Sequence, residues 1–111
     1  MGEKFGQKSN IMKLLLITCI EEFEKEVRKI LNHSGVKSFS LQSVKGYKNG
    51  NENELENWFP SDDIPIESLL FTVFISQECT EELCYRIEAF NEKQESSSRI
   101  HLAVLAIDKS I

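Results

Sequence analysis

Residues 30–47, ILNHSGVKSFSLQSVKGY, decide how the chain folds. They hold the end of a helix, a glycine at Gly35, an alternating strand, and a Lys-Gly-aromatic turn at Lys45, Gly46 and Tyr47. Glycine accepts the left-handed backbone that closes a helix, so Gly35 reads as a stop. Beyond it, Phe39 and Leu41 alternate with Ser40 and Gln42, the period of a strand with one buried face.

Upstream, residues 13–20 form an unbroken apolar run rich in Leu and Ile, which predicts a central strand covered on both faces. From Glu21 the period changes to that of a helix. Phe23, Val27, Ile30 and Leu31 share one face, while Glu21, Glu24, Lys25 and Arg28 fill the other. The pairs Glu21–Lys25 and Glu24–Arg28 stand four apart with the acid first, the order that supports a helix.

Downstream, residues 48–67 contain two prolines, one glycine and six carboxylates against one lysine, the composition of a long acidic loop. Loops of this length inside a small domain are usually functional. Residues 68–76, SLLFTVFIS, predict a second strand apolar on both faces. A helix follows, with Thr80 as its expected cap and Leu83, Ile87 and Phe90 facing the core. The Ser-rich turn 94–98 leads to a last strand over 100–107. Residues 1–11 are polar, contain glycine and lack periodicity, which predicts a flexible leader before a single domain at 12–111.

The expected order is βαββαβ, the split βαβ arrangement of an α+β, ferredoxin-like fold with a four-stranded antiparallel sheet. Both right-handed crossovers then place their helices on one face of the sheet. The other face, built from strands apolar on both sides, needs a cover, so the chain is expected to form a cyclic oligomer.

A chain of 111 residues makes one compact core. Its net charge of −5 argues against binding nucleic-acid phosphates, which needs clustered Lys and Arg. The apolar run at 13–20 is too short to cross a bilayer, so no membrane insertion is expected. Three cysteines, an odd and unpatterned set, suit a reducing cytoplasm better than a disulfide framework.

With these elements in place, the sequence resembles the PII signal-transduction proteins, ferredoxin-like trimers. The likeness covers residues 13–47 best and 68–107 by topology. Val44-Lys45-Gly46-Tyr47 is similar to the Val-Lys-Gly-Phe that opens the family's signalling loop. Ser40 falls where the family commonly has a Thr near the nucleotide, and Arg99-Ile100 where it has Lys-Ile before the fourth strand. The resemblance implies a non-enzymatic, cytoplasmic homotrimer that binds an effector between subunits at Ser40, Lys45, Gly46, Tyr47 and Arg99. Loop 48–67 would report its occupancy to a partner such as a transporter or enzyme.

An adenine nucleotide is the ligand the family implies, but the glycine-rich segment that holds its phosphates there is replaced here by residues 92–99, EKQESSSR. Backbone amides of glycine turns cradle phosphates, whereas two glutamates repel them. The cofactor is therefore left open. A second family of the same architecture, the CutA cation-tolerance trimers, resembles the chain through its acidic Trp-containing loop and the terminal LAVLAI at 102–107.

Weighed as chemistry, the remaining candidates favour plain structural roles. Cys79 and Cys84 stand five apart, about 140° around a helix, and cannot chelate together. No metal ligand is assigned, and the cysteines are expected to act as small hydrophobes. Glu52, Glu54, Glu56, Asp62 and Asp63 lack the spacing of a calcium loop. No Gly-x-Ser-x-Gly elbow marks a nucleophile. Trp58 and Phe59, aromatics in an acidic loop, are the expected anchors for a protein partner.

Overall fold

The computed structural model describes residues 11–47 and 64–111. Strand β1 (Met12–Ile20) runs into a single 3-10 turn (Glu21–Phe23) and helix α1 (Glu24–His33). Strands β2 (Phe39–Gly46) and β3 (Ile66–Ser76), helix α2 (Gln77–Lys93) and strand β4 (His101–Ala106) follow. The sheet order is β2-β3-β1-β4, with every neighbouring pair antiparallel. Each strand-helix-strand half leaves a one-strand gap that the other half fills, which is the expected ferredoxin-like α+β fold.

The cause lies in the two central strands. In β1 the buried residues Leu15, Ile17 and Cys19 alternate with half-buried ones, and in β3 Leu69, Phe71, Val73 and Ile75 alternate with half-buried Leu70 and Thr72 and exposed Phe74. Successive side chains of a strand leave on opposite faces, so these odd-numbered residues form the face beneath the helices. Val27 and Leu31 of α1 and Leu83 and Ile87 of α2 complete the core. Phe23 and Phe90 join the helix layer edge to face at 5.0 Å, and Phe39 tilts onto Phe71 at 5.7 Å.

Gly35 ends α1 as its residue type predicts. Its φ is +86°, the only positive φ among the described residues. The amide of Val36 donates to the carbonyl of Leu31 at 3.1 Å and that of Gly35 to Asn32 at 3.4 Å, the paired bonds of a Schellman stop. Glu24 and Arg28 meet at 3.2 Å.

Thr80 differs from its expected place. Helix α2 begins at Gln77, after Ser76 in extended conformation, so Thr80 lies inside the first turn. Its hydroxyl donates to the carbonyl of Ser76 at 3.0 Å rather than accepting from an amide. The carbonyl four residues back is within reach of a Thr in a helix, and the hydroxyl takes it. Ile11, counted with the leader, accepts a hydrogen bond from the amide of Gln77 at 2.8 Å.

The helix-free face is apolar. Leu14 stands between Phe74 and Leu105, and Thr18 between Leu70 and His101. Phe74 is 52% and Leu105 39% exposed. Among the described residues, no helix is long and apolar enough to cross a membrane.

Candidate functional site

One end of the helix-free face opens into a cleft of about 500 Å³. Its floor comes from the ends of the strands: Thr18 and Ile20 of β1, Val44 and Gly46 of β2, Ile66 and Ser68 of β3, and His101 of β4. Register explains the assembly. Ile20 and Val44 both pair with Ser68, Gly46 pairs with Ile66, and Thr18 pairs with His101, so all share one face. Lys45, Tyr47 and the turn Ser97–Ser98–Arg99 form the rim.

The structure thus brings together four of the five residues expected to hold a ligand: Lys45, Gly46, Tyr47 and Arg99. The outer strands β2 and β4 lie at opposite edges of the sheet, and the cleft spans the distance between them. Ser40 is placed elsewhere. It lies exposed near the start of β2, opposite Thr72, and does not line the cleft. Trp58 and Phe59 lie outside the described residues, as does most of loop 48–67.

Lys45 faces Glu67 across the β2–β3 pairing at 3.7 Å, with both side chains more than half exposed. Such a pair contributes little to stability, so Lys45 can leave it without great cost. Gly46 has no positive φ. Its lack of a side chain matters for space instead: a Cβ there would stand 3.1 Å from the Ser68 hydroxyl and 3.5 Å from the Ile66 carbonyl. That hydroxyl donates to the Ile66 carbonyl at 3.1 Å.

Arg99 is held by its own turn. Its Nη1 donates to the carbonyls of Ser96 at 2.5 Å and Ser98 at 2.8 Å. The next residue, Ile100, is buried and clamped from α2. Asn91 donates through Nδ2 to the Ile100 carbonyl at 2.9 Å and accepts the Ile100 amide on Oδ1 at 2.8 Å. One side chain therefore takes both backbone groups of the residue between Arg99 and His101.

The charged and titratable side chains of the cleft are Lys45, Tyr47, Arg99 and His101, while Cys19 lines it from a position whose side chain joins the core beneath the helices. Cys19 is buried, and that burial, aided by the Glu24 carboxylate, pushes its thiol up to about 11. A thiol held protonated at neutral pH is a poor nucleophile. Cys79 and Cys84 are half-buried, not fully as expected, and burial raises the Cys84 thiol as well, with Glu81 and Glu88 adding to it. Among the described residues, no three His, Cys, Asp or Glu side chains come together as a metal site.

The sequence reading does not single out Thr18, Ser68 or Asn91, and it does not place His101 among the effector-binding residues. Exposed Arg99 and His101 flank buried Ile100 in a period-2 pattern, and that was the available signal.

No protein-family model matches the chain, and no curated protein matches it by sequence. Solved structures do. The nitrogen regulatory PII-like protein CPII of Thiomonas intermedia K12, bound to ADP, AMP and bicarbonate, superposes with a TM-score of 0.60 at 14% identity. The match covers 90% of this chain and 96% of that one. A DUF3240 family protein of Shewanella baltica OS155 gives 0.64 at 11% identity, over 90% of this chain and 93% of that one. Arabidopsis thaliana PII bound to citrate gives 0.63 at 10% identity, over 87% and 78%. Identities this low carry the fold alone, and over nearly its whole length the chain is a divergent representative of the PII-like fold.

Proposed function

We propose that the protein is a PII-like regulator that binds a small effector in the cleft beneath Lys45, Gly46 and Tyr47. One observation supports this above the rest: the exit of β2 into loop 48–67 and the turn carrying Arg99 line a single cleft. A ligand bridging them would favour one arrangement of the loop base over another. Differential affinity for two loop states is what effector signalling requires. Trp58 and Phe59 would then offer their aromatic surface to a protein partner, such as a transporter or enzyme, according to the loop's state.

The protein acts, in this proposal, as a cytoplasmic homotrimer without catalysis. The exposed apolar face around Leu14, Leu70 and Phe74 supports self-association. The cation-tolerance alternative would need thiol and imidazole ligands drawn from several subunits, a feature to which no contact described here points.

The test is a thermal-shift panel with ATP, ADP, AMP, bicarbonate, Mg, Zn, Cu and Ni on the wild type and on Gly46→Asp. A ligand specific to the native state stabilises it by about 2.7 kcal/mol at a hundredfold excess over its dissociation constant. A nucleotide or bicarbonate should raise the melting temperature of the wild type. Gly46→Asp, which pushes a carboxylate against Ser68, should lose that shift and keep its oligomeric state. An unchanged shift in the variant removes the site assignment, and a shift with soft metals alone favours the cation-tolerance reading.

A further inference from the structure

We infer that the cleft reads a single anionic group, a phosphate monoester or a carboxylate, through Arg99 and His101 acting as a two-pronged grip, with Asn91 as their positioning residue. The inference rests on the cleft being the effector site and names the chemistry that site selects.

Geometry comes first. Ser98, Arg99, Ile100 and His101 alternate half-buried, exposed, buried and exposed. In extended chain, residues two apart project from the same side, roughly 7 Å from each other. Ile100 is anchored in the core at 3% exposure, so Arg99 and His101 project together toward the cleft that both line. The Asn91 clamp fixes both backbone groups of Ile100 and with them the direction of the two prongs.

The donors suit one oxyanion. Guanidinium carries five N–H groups in a planar fork. The two on Nη1 go to Ser96 and Ser98, and among the described residues Nε and Nη2 bond nothing else. That leaves the edge which grips a carboxylate or phosphate through two parallel bonds. The hydroxyls of Thr18, Ser68, Ser97 and Ser98 line the same cleft and can donate to the remaining oxygens. Ile20, Val44, Ile66 and Tyr47 offer an apolar surface to the uncharged part of the ligand.

Charge sets the upper limit. Glu67 stands beside Lys45, so the two together add no net positive charge to the rim. The end of α2 and the turn before Arg99 carry Glu92, Lys93 and Glu95, all exposed and together −1, and the whole chain carries −5. Each phosphate beyond the first therefore adds negative charge with no further lysine or arginine in the cleft lining to receive it. Affinity should not climb with phosphate number.

The experiment is isothermal titration without divalent cations, using AMP, ADP and ATP as a series that differs only in phosphate count. Inorganic phosphate, acetate and bicarbonate serve as bare anions. AMP should bind, ADP no tighter, and ATP about tenfold more weakly. Arg99→Gln should weaken AMP by about tenfold or more and Arg99→Lys by less, because lysine keeps the charge but loses the fork. His101→Asn should weaken it several-fold. Displacement of AMP by phosphate but not by acetate or bicarbonate assigns a phosphate ligand, and the converse assigns a carboxylate.

Asn91→Asp tests the positioning role, since it keeps the acceptor for the Ile100 amide and loses the donor to the carbonyl. It should weaken AMP while a single folding transition persists. Affinity that rises from AMP to ATP, or wild-type affinity in Arg99→Gln, overturns the inference. If that binding is still abolished by Gly46→Asp, the effector cleft stands without it. Binding by none of the probes overturns both.

Discussion

Replacing Asn91 by alanine removes two hydrogen bonds that fasten the end of α2 to the start of β4, at 2.9 and 2.8 Å. Each such bond contributes about 1 kcal/mol net, and leaving a buried backbone group unpaired adds a desolvation cost of similar size. Ile100 is 3% exposed, so its amide and carbonyl reach water poorly once the side chain is gone. The expected loss is about 2–4 kcal/mol, a sizeable share of the 5–15 kcal/mol that holds a typical domain folded. For a chain of this size, the melting temperature should fall by roughly 10–20 °C. Thermal denaturation followed by circular dichroism measures the loss. Hydrogen exchange at the Ile100 amide locates it, since protection there should drop more than in β1. A fall of less than about 2 °C, or undiminished protection of Ile100, would refute the clamp as a structural element.

Three further perturbations test other parts of the structure. Gly35→Ala should cost about 1–2 kcal/mol, because the position sits at φ +86° while the nearest atom to a new Cβ, the Cys79 sulfur, stands 3.8 Å away; denaturant unfolding reads this backbone cost with little steric addition. Phe74→Glu, on the exposed side of β3 beside Leu14, should dissociate the proposed trimer without unfolding the subunit, as light scattering behind size exclusion would show. The buried Cys19 thiol, raised to about 11 from 9.0, contributes stability that is complete below pH 9 and lost as pH climbs toward 11, because only the unfolded chain releases the proton in that window. The loss should reach about 2–3 kcal/mol in urea titrations and be absent from Cys19→Ala.

Much of the fold was legible because its signals are local. The apolar run at 13–20, the helical spacing of Phe23, Val27 and Leu31, and the glycine at 35 each act within a few residues. Thr80 misled because a threonine near a helix start has two backbone partners within reach, and only the true first turn shows which one it takes. The site was legible in part. Lys45, Gly46 and Tyr47 announce a strand leaving for a loop, and Arg99 was found by resemblance. His101 and Ser68 were not, because their membership depends on register across strands distant in sequence. Ser40 shows the converse: likeness of position along a strand did not bring it to the cleft.

The order β2-β3-β1-β4 also governs how the chain can assemble during synthesis. Of these four strands the first made, β1, is a central one, and neither of its partners is the next strand in sequence. Its nine pairings with β3 wait for Ser76, and its pairings with β4 wait for Ala106. Until then β1, the most apolar stretch of the chain, has no finished sheet to enter. Contacts this distant slow folding, and an unpaired apolar strand is prone to join the wrong chain. All the elements from α1 to β4 therefore have to leave the ribosome before β1 is flanked on both sides. Chains broken off before residue 101 should fall to chaperones or proteases rather than accumulate as partial folds.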